Sequence, residues 1–128
     1  MPIANTWEPE GLHMNYSGFN RGKDVLDHVL GLSSDPRLDS IKYIVGDFTH
    51  STGLESTPED VKMLTAYNKA LSKINPNILN PTVMPINDTD TQALISLYVL
   101  ITEDLPWDTC WVKSLSEARE WVAERLNI

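Results

Sequence analysis

Asp47 and His50 are the two side chains whose types and spacing come nearest to chemistry. Asp47 closes an apolar, β-branched run, Ile41 to Phe48 (IKYIVGDF), and open α/β sheets place ligands at the carboxyl ends of such strands. A carboxylate with an imidazole three residues on could work as an acid/base pair or bind a metal. Both chemistries need a third group, and the neighbouring sequence supplies none. The plainer role for Asp47 is to accept N–H bonds from the loop that follows. Ser56 and Thr57 are candidate phosphoacceptors, because a helix N-terminus favours an added anion. Capping explains the same segment: Thr57 as N-cap, Pro58 at the first helical position and Asp60 closing a capping box. Cys110 has no His or second Cys nearby and reads as a buried core thiol. His13 and His28 lack metal-ligand spacing and read as surface positions. The chain contains no G-x-G-x-x-G, P-loop, H-E-x-x-H, G-x-S-x-G or Cys/His cluster. The sequence therefore carries an expectation of no catalytic residues, no metal and no cofactor.

Composition narrows the partners. The chain has 128 residues, the usual size of one domain, and a formal net charge of -8. At that charge nucleic acid and anionic membrane surfaces are repelled. One cysteine allows no intrachain disulfide. The N-terminal residues lack the charged and apolar regions of a signal peptide. The longest apolar-rich stretch, Ala93 to Ile101, is far short of the ~20 residues that span a bilayer. A cytoplasmic location is the expectation.

The elements that must position these residues alternate along the chain. Trp7-Glu8 leads through Pro9-Glu10-Gly11 into Leu12, Met14 and Tyr16, whose period of two predicts a hairpin. Val25, Leu26, Val29, Leu30 and Leu32 give a helical face over about Arg21 to Ser33, ended by Pro36. IKYIVGDF reads as a central strand, and Thr49 to Ser56 as a loop. Thr57 opens a second helix with Val61, Leu64, Leu71 and Ile74 inward. Leu79 to Ile86 holds a short strand constrained by Pro81 and Pro85. A third helix runs from Asn87–Asp90 to about Glu103. Thr109 to Val112 is a last strand, and Ser114 or Ser116 caps a last helix with Leu115, Ala118, Val122 and Leu126 inward. The order β-β-α-β-α-β-α-β-α predicts one α/β domain over residues 1–128, with a mixed, mainly parallel five-stranded sheet flanked by four helices.

The third helix is the least ordinary element. Ala93, Leu94, Ile95, Leu97, Tyr98, Val99, Leu100 and Ile101 leave Ser96 as the lone polar interruption, and a helix apolar all round must be covered on more than one side. Three covers compete: the last helix with the loops, a second copy of the chain, or an apolar ligand. Leu94, Leu97, Tyr98, Ile101 and Trp107 are the candidate residues of that interface or pocket.

The opening TWEPEGLHMNYSG, Asp35-Pro36-Arg37-Leu38 before IKYIVGDF, the TPEDV helix start and the closing SLSEAREWV together resemble the SpoIIAA-like fold family, which contains the STAS domains and their STAS/SEC14 relatives. The resemblance covers nearly the whole chain and implies a bacterial member with a STAS-like fold. In STAS antagonists a phosphorylatable serine follows the central strand within Asp-Ser-Ser-Gly-Leu-Gly. Asp47 matches the strand-end Asp, and Ser56 and Thr57 fall near the serine. Pro58-Glu59-Asp60 stands where the family has Gly-Leu-Gly. The function expected is a non-catalytic regulatory or protein-interaction module, self-associating as a homodimer. The alternative is a binding protein for a small apolar ligand or lipid, with a pocket beside the third helix.

Overall fold

Glu8 and Gly11 exchange backbone hydrogen bonds around Pro9-Glu10, and this turn closes the hairpin of β1 (Ile3–Trp7) and β2 (Gly11–Tyr16). The computed structural model describes residues 3–127. After β2 come β3 (Gly18–Arg21), α1 (Gly22–Gly31), β4 (Tyr43–Asp47), β5 (Ser51–Glu55), α2 (Pro58–Ile74), β6 (Leu79–Val83), α3 (Thr89–Ile101), β7 (Asp108–Val112) and α4 (Leu115–Leu126). Two short 3-10 turns, Leu32–Ser34 and Pro36–Asp39, join α1 to β4.

Five strands form one mixed sheet in the order β1-β2-β4-β6-β7. β1 pairs antiparallel with β2, while β2–β4, β4–β6 and β6–β7 pair parallel. From β2 to β7 every crossover adds a strand in the same direction across the sheet. Crossovers of one hand advancing one way leave their helices on one face. α1, α2 and α3 accordingly share a layer with Leu12, Met14 and Ile44 beneath them. α4 follows β7 and returns over the opposite face, where Ala118 and Val122 pack on Tyr43, Val45 and Val83. The alternation of Ile44 and Val45 between these two clusters explains why the whole of β4 is buried.

Four expectations need correction. Residues 49–56 are not a plain loop, because Ser51–Glu55 forms β5 and pairs parallel with β3 in a separate two-stranded sheet. The element order is therefore longer than β-β-α-β-α-β-α-β-α. Neither short strand has an apolar period, and Ser, Gly and Asn in them read as turn residues. Gly18, at φ 64, turns the chain from β2 into β3. Second, α4 does not cover α3, since the sheet lies between them. Third, Leu30 and Ile74 are exposed at the ends of their helices. Fourth, His13 is not a surface position but is largely enclosed.

The small sheet sets the geometry of two helices. β3 runs straight into α1, and β5 leads within three residues into α2. Their parallel pairing places the two helix N-termini side by side. A side chain at Gly22 would meet Asp60 Oδ2 at 2.7 Å and Ser56 Oγ at 2.9 Å, so any larger residue would have to displace the side chains at the start of α2.

Candidate ligand-binding site

A cavity of about 90 Å³ lies between the sheet and the layer of α1, α2 and α3. Its origin is local. Gly46 interrupts β4 with no side chain on the face toward these helices, and Thr82 stands opposite it on β6. A Cβ added at Gly46 would meet nothing closer than Thr82 Oγ1 at 3.7 Å. Helices held above a strand position without a side chain leave unfilled volume, where an ordinary core would be close-packed.

Each helix contributes a stripe at helical spacing. α1 lines the cavity with Val25, Leu26 and Val29, α2 with Val61, Leu64 and Leu71, and α3 with Leu94, Ile95 and Tyr98. Trp107, just before β7, completes the wall, and its Nε1 donates to the Asn75 carbonyl at 2.8 Å. One wall is polar. Asn68 Nδ2 donates to Tyr98 Oη at 2.7 Å, Tyr98 Oη donates to Asn80 Oδ1 at 2.5 Å, and Asn80 Nδ2 donates to the Ile44 carbonyl at 2.8 Å. Burial pushes the Tyr98 hydroxyl well above its ordinary pKa, so it stays neutral. At the other end Ser56 and Asp60 line the cavity where the N-termini of α1 and α2 meet.

A second polar cluster lies on the α4 face. Asp47 Oδ2 accepts from or pairs with His13 Nε2 at 2.8 Å, and Asp47 Oδ1 accepts the Thr49 N–H at 2.9 Å and the Thr49 hydroxyl at 2.5 Å. Burial alone would raise the Asp47 carboxyl, but the Thr49 bonds and His13 outweigh it and hold it below the usual carboxylate range. Glu8 takes a bidentate contact from Arg119 at 2.6 and 2.7 Å and a bond from the Tyr43 hydroxyl. Arg119 lowers the Glu8 carboxyl against its partial burial. This second pair ties α4 to the hairpin turn.

The candidates from the sequence separate accordingly. Leu94, Tyr98 and Trp107 meet in the cavity, while Leu97 and Ile101 are half-buried outside its lining. Asp47 and His50 are not brought together. Asp47 anchors its loop through Thr49, and the His50 carbonyl accepts from the Gly18 N–H. Thr57 caps α2 with the full capping box: its side chain accepts from the Asp60 N–H, and Asp60 accepts the Thr57 N–H. Ser56 Oγ lies 3.5 Å from Asp60 Oδ2. Burial pushes the Cys110 thiol up to about 11, which leaves it unreactive at neutral pH. Among the described residues no group of three or more His, Cys, Asp or Glu is arranged around a metal position, and no helix is long and apolar enough to cross a membrane.

Sequence reasoning missed Gly46, Asn68, Asn80 and Thr82. The signals were present: a glycine inside an otherwise β-branched strand marks a close approach or a missing side chain, and Asn80 and Thr82 are polar positions in a buried strand. The chain matches no family model, no curated protein and no solved structure.

Proposed function

We propose that this chain is a SpoIIAA-like binding module that holds a small, mainly apolar molecule between its sheet and α1, α2 and α3. The observation that carries this reading is the cavity itself, about 90 Å³ and lined on most sides by Val, Leu, Ile and Trp side chains. Apolar cavities of ~150 Å³ stay dry and take up benzene or xenon. Drug-sized ligands occupy ~300 Å³ or more. The space here suits a molecule of a few carbon atoms. A lipid chain would require α1 or α3 to move outward. The resemblance to STAS/SEC14 domains read from the sequence is in keeping with an apolar ligand.

Titration of the ¹⁵N-labelled protein with n-pentane tests the reading. Saturable shifts of the Trp107 indole N–H and of the Gly46 and Leu94 amides are expected. In Gly46→Val, whose side chain fills the space, those shifts vanish while the rest of the spectrum is retained. Linear, non-saturating shifts spread over the surface would refute the reading.

A specific surface favours a second reading, the self-associating interaction module. β7 is an edge of the five-stranded sheet. On it Trp111 is 43% exposed, and Ile86, which lines the same surface hollow, is 73% exposed. Unpaired strand edges template pairing with another chain, and Asp108 and Lys113 stand at opposite ends of this one, so an antiparallel copy brings opposite charges together. Sedimentation equilibrium should show a dimer that Trp111→Glu converts to a monomer. A wild-type chain that stays monomeric at high micromolar concentration rules this out.

A further inference from the structure

The polar wall of the cavity restricts what the cavity can hold. Asn68 and Thr82 are each 5% exposed, and both line the cavity. Tyr98 uses its hydroxyl twice, accepting from Asn68 and donating to Asn80, and Asn80 spends its amide N–H on the Ile44 carbonyl. The network therefore closes on itself through Asn68 Nδ2. Asn68 Oδ1 and the Thr82 hydroxyl take no part in these bonds, and Thr82 Oγ1 faces the space above Gly46, 3.7 Å from where a Cβ there would stand. Buried polar groups are normally partnered. Two polar side chains lining an otherwise apolar space make a place for a hydrogen-bonding group of the occupant. The open acceptor, Asn68 Oδ1, calls for a donor. Thr82 can give or take.

Charge restricts the occupant further. Among the described residues no Lys, Arg or His lines the cavity. Among the described residues the one carboxylate lining it is Asp60, eight residues before Asn68 on α2, which is about 12 Å along the helix axis. A buried carboxylate with no cationic partner is costly and would be neutralised or excluded.

We propose that the occupant of this cavity is a neutral, hydroxyl-bearing apolar molecule, its O–H donating to Asn68 Oδ1 and accepting from the Thr82 hydroxyl. The inference rests on the cavity being a ligand site. It selects a small alcohol over a hydrocarbon, an ether or a fatty acid.

The test compares 1-butanol with its isomer diethyl ether, with n-pentane and with butyrate at pH 7, each titrated into the ¹⁵N-labelled protein. The one donated hydrogen bond should make 1-butanol bind about fivefold tighter than diethyl ether, which can only accept, and the two together should make it tighter still against n-pentane, with no saturable shift from butyrate. Thr82→Val keeps the shape and removes the hydroxyl. It should reduce the preference for 1-butanol over n-pentane and leave n-pentane affinity unchanged. Thr82→Ser should retain the preference and so controls for any loss of folding in the valine variant. If n-pentane binds and 1-butanol is no tighter, this inference is overturned while the apolar site stands. Butyrate as the tightest ligand overturns it as well. If no probe binds saturably, both readings fall.

Discussion

Tyr98 is the residue on which the polar wall depends. Its hydroxyl satisfies Asn68 on α2 and Asn80 on β6 at once. Tyr98→Phe would leave an amide donor and an amide acceptor buried without partners, at a cost of about 2 kcal/mol. Urea unfolding should show that loss as a lower midpoint with an unchanged slope. The two lowered carboxyls make a separate prediction. Glu8 and Asp47 both titrate below the usual carboxylate range in the folded chain, so the folded state binds fewer protons than the unfolded state near their pKa values. Their stabilisation is complete above the unfolded carboxylate pKa, about 4, and disappears as pH falls through the folded values. Glu8→Gln should be less stable than wild type at pH 7 and should lose less stability on acidification to about pH 3. Equal acid slopes for the two proteins would show that the Arg119 contact contributes nothing. His13 was beyond reach of the sequence at this scale: its partner Asp47 is 34 residues away, and only the parallel pairing of β2 with β4 brings them together.

The helices and the main sheet were the legible elements, because each carries its own punctuation. Thr57-Pro58 with Asp60 marks the start of α2, and the capping box forms there as read. Asp88 caps α3 and Ser114 caps α4, each by a single side-chain bond to a backbone N–H. Thr57→Ala should destabilise the chain by about 1 kcal/mol in chemical denaturation, with no change in ligand affinity if the cap is structural only. β3 and β5 were illegible because each is short and mostly polar, with Leu54 the single apolar side chain they set against the core. Phe19, the largest side chain in the pair, is exposed. These strands nevertheless fix where α1 and α2 begin, and Gly22 records the constraint: its tight approach to Asp60 and Ser56 has no meaning until the two helix starts are known to be neighbours.

At the scale of the molecule, strand order explains the site. One-directional crossovers put α1, α2 and α3 on a single face and leave α4 alone on the other. The continuous apolar character of α3 then follows. Leu94, Ile95 and Tyr98 face the cavity, while Leu100 is exposed. The sequence showed that α3 needed cover on several sides but could not say which element supplied it, because sidedness is a property of the sheet's order. The cavity was illegible for a related reason, since Gly46 and Thr82 lie 36 residues apart and become adjacent only when β4 pairs with β6.

The central claim is that an apolar space is kept open above Gly46. A crystal pressurised with xenon tests it directly, because xenon occupies dry apolar cavities. The account predicts a strong xenon peak between Gly46, Leu94 and Trp107, absent in Gly46→Val. Xenon found only at the surface, with side chains closed over Gly46, would contradict it.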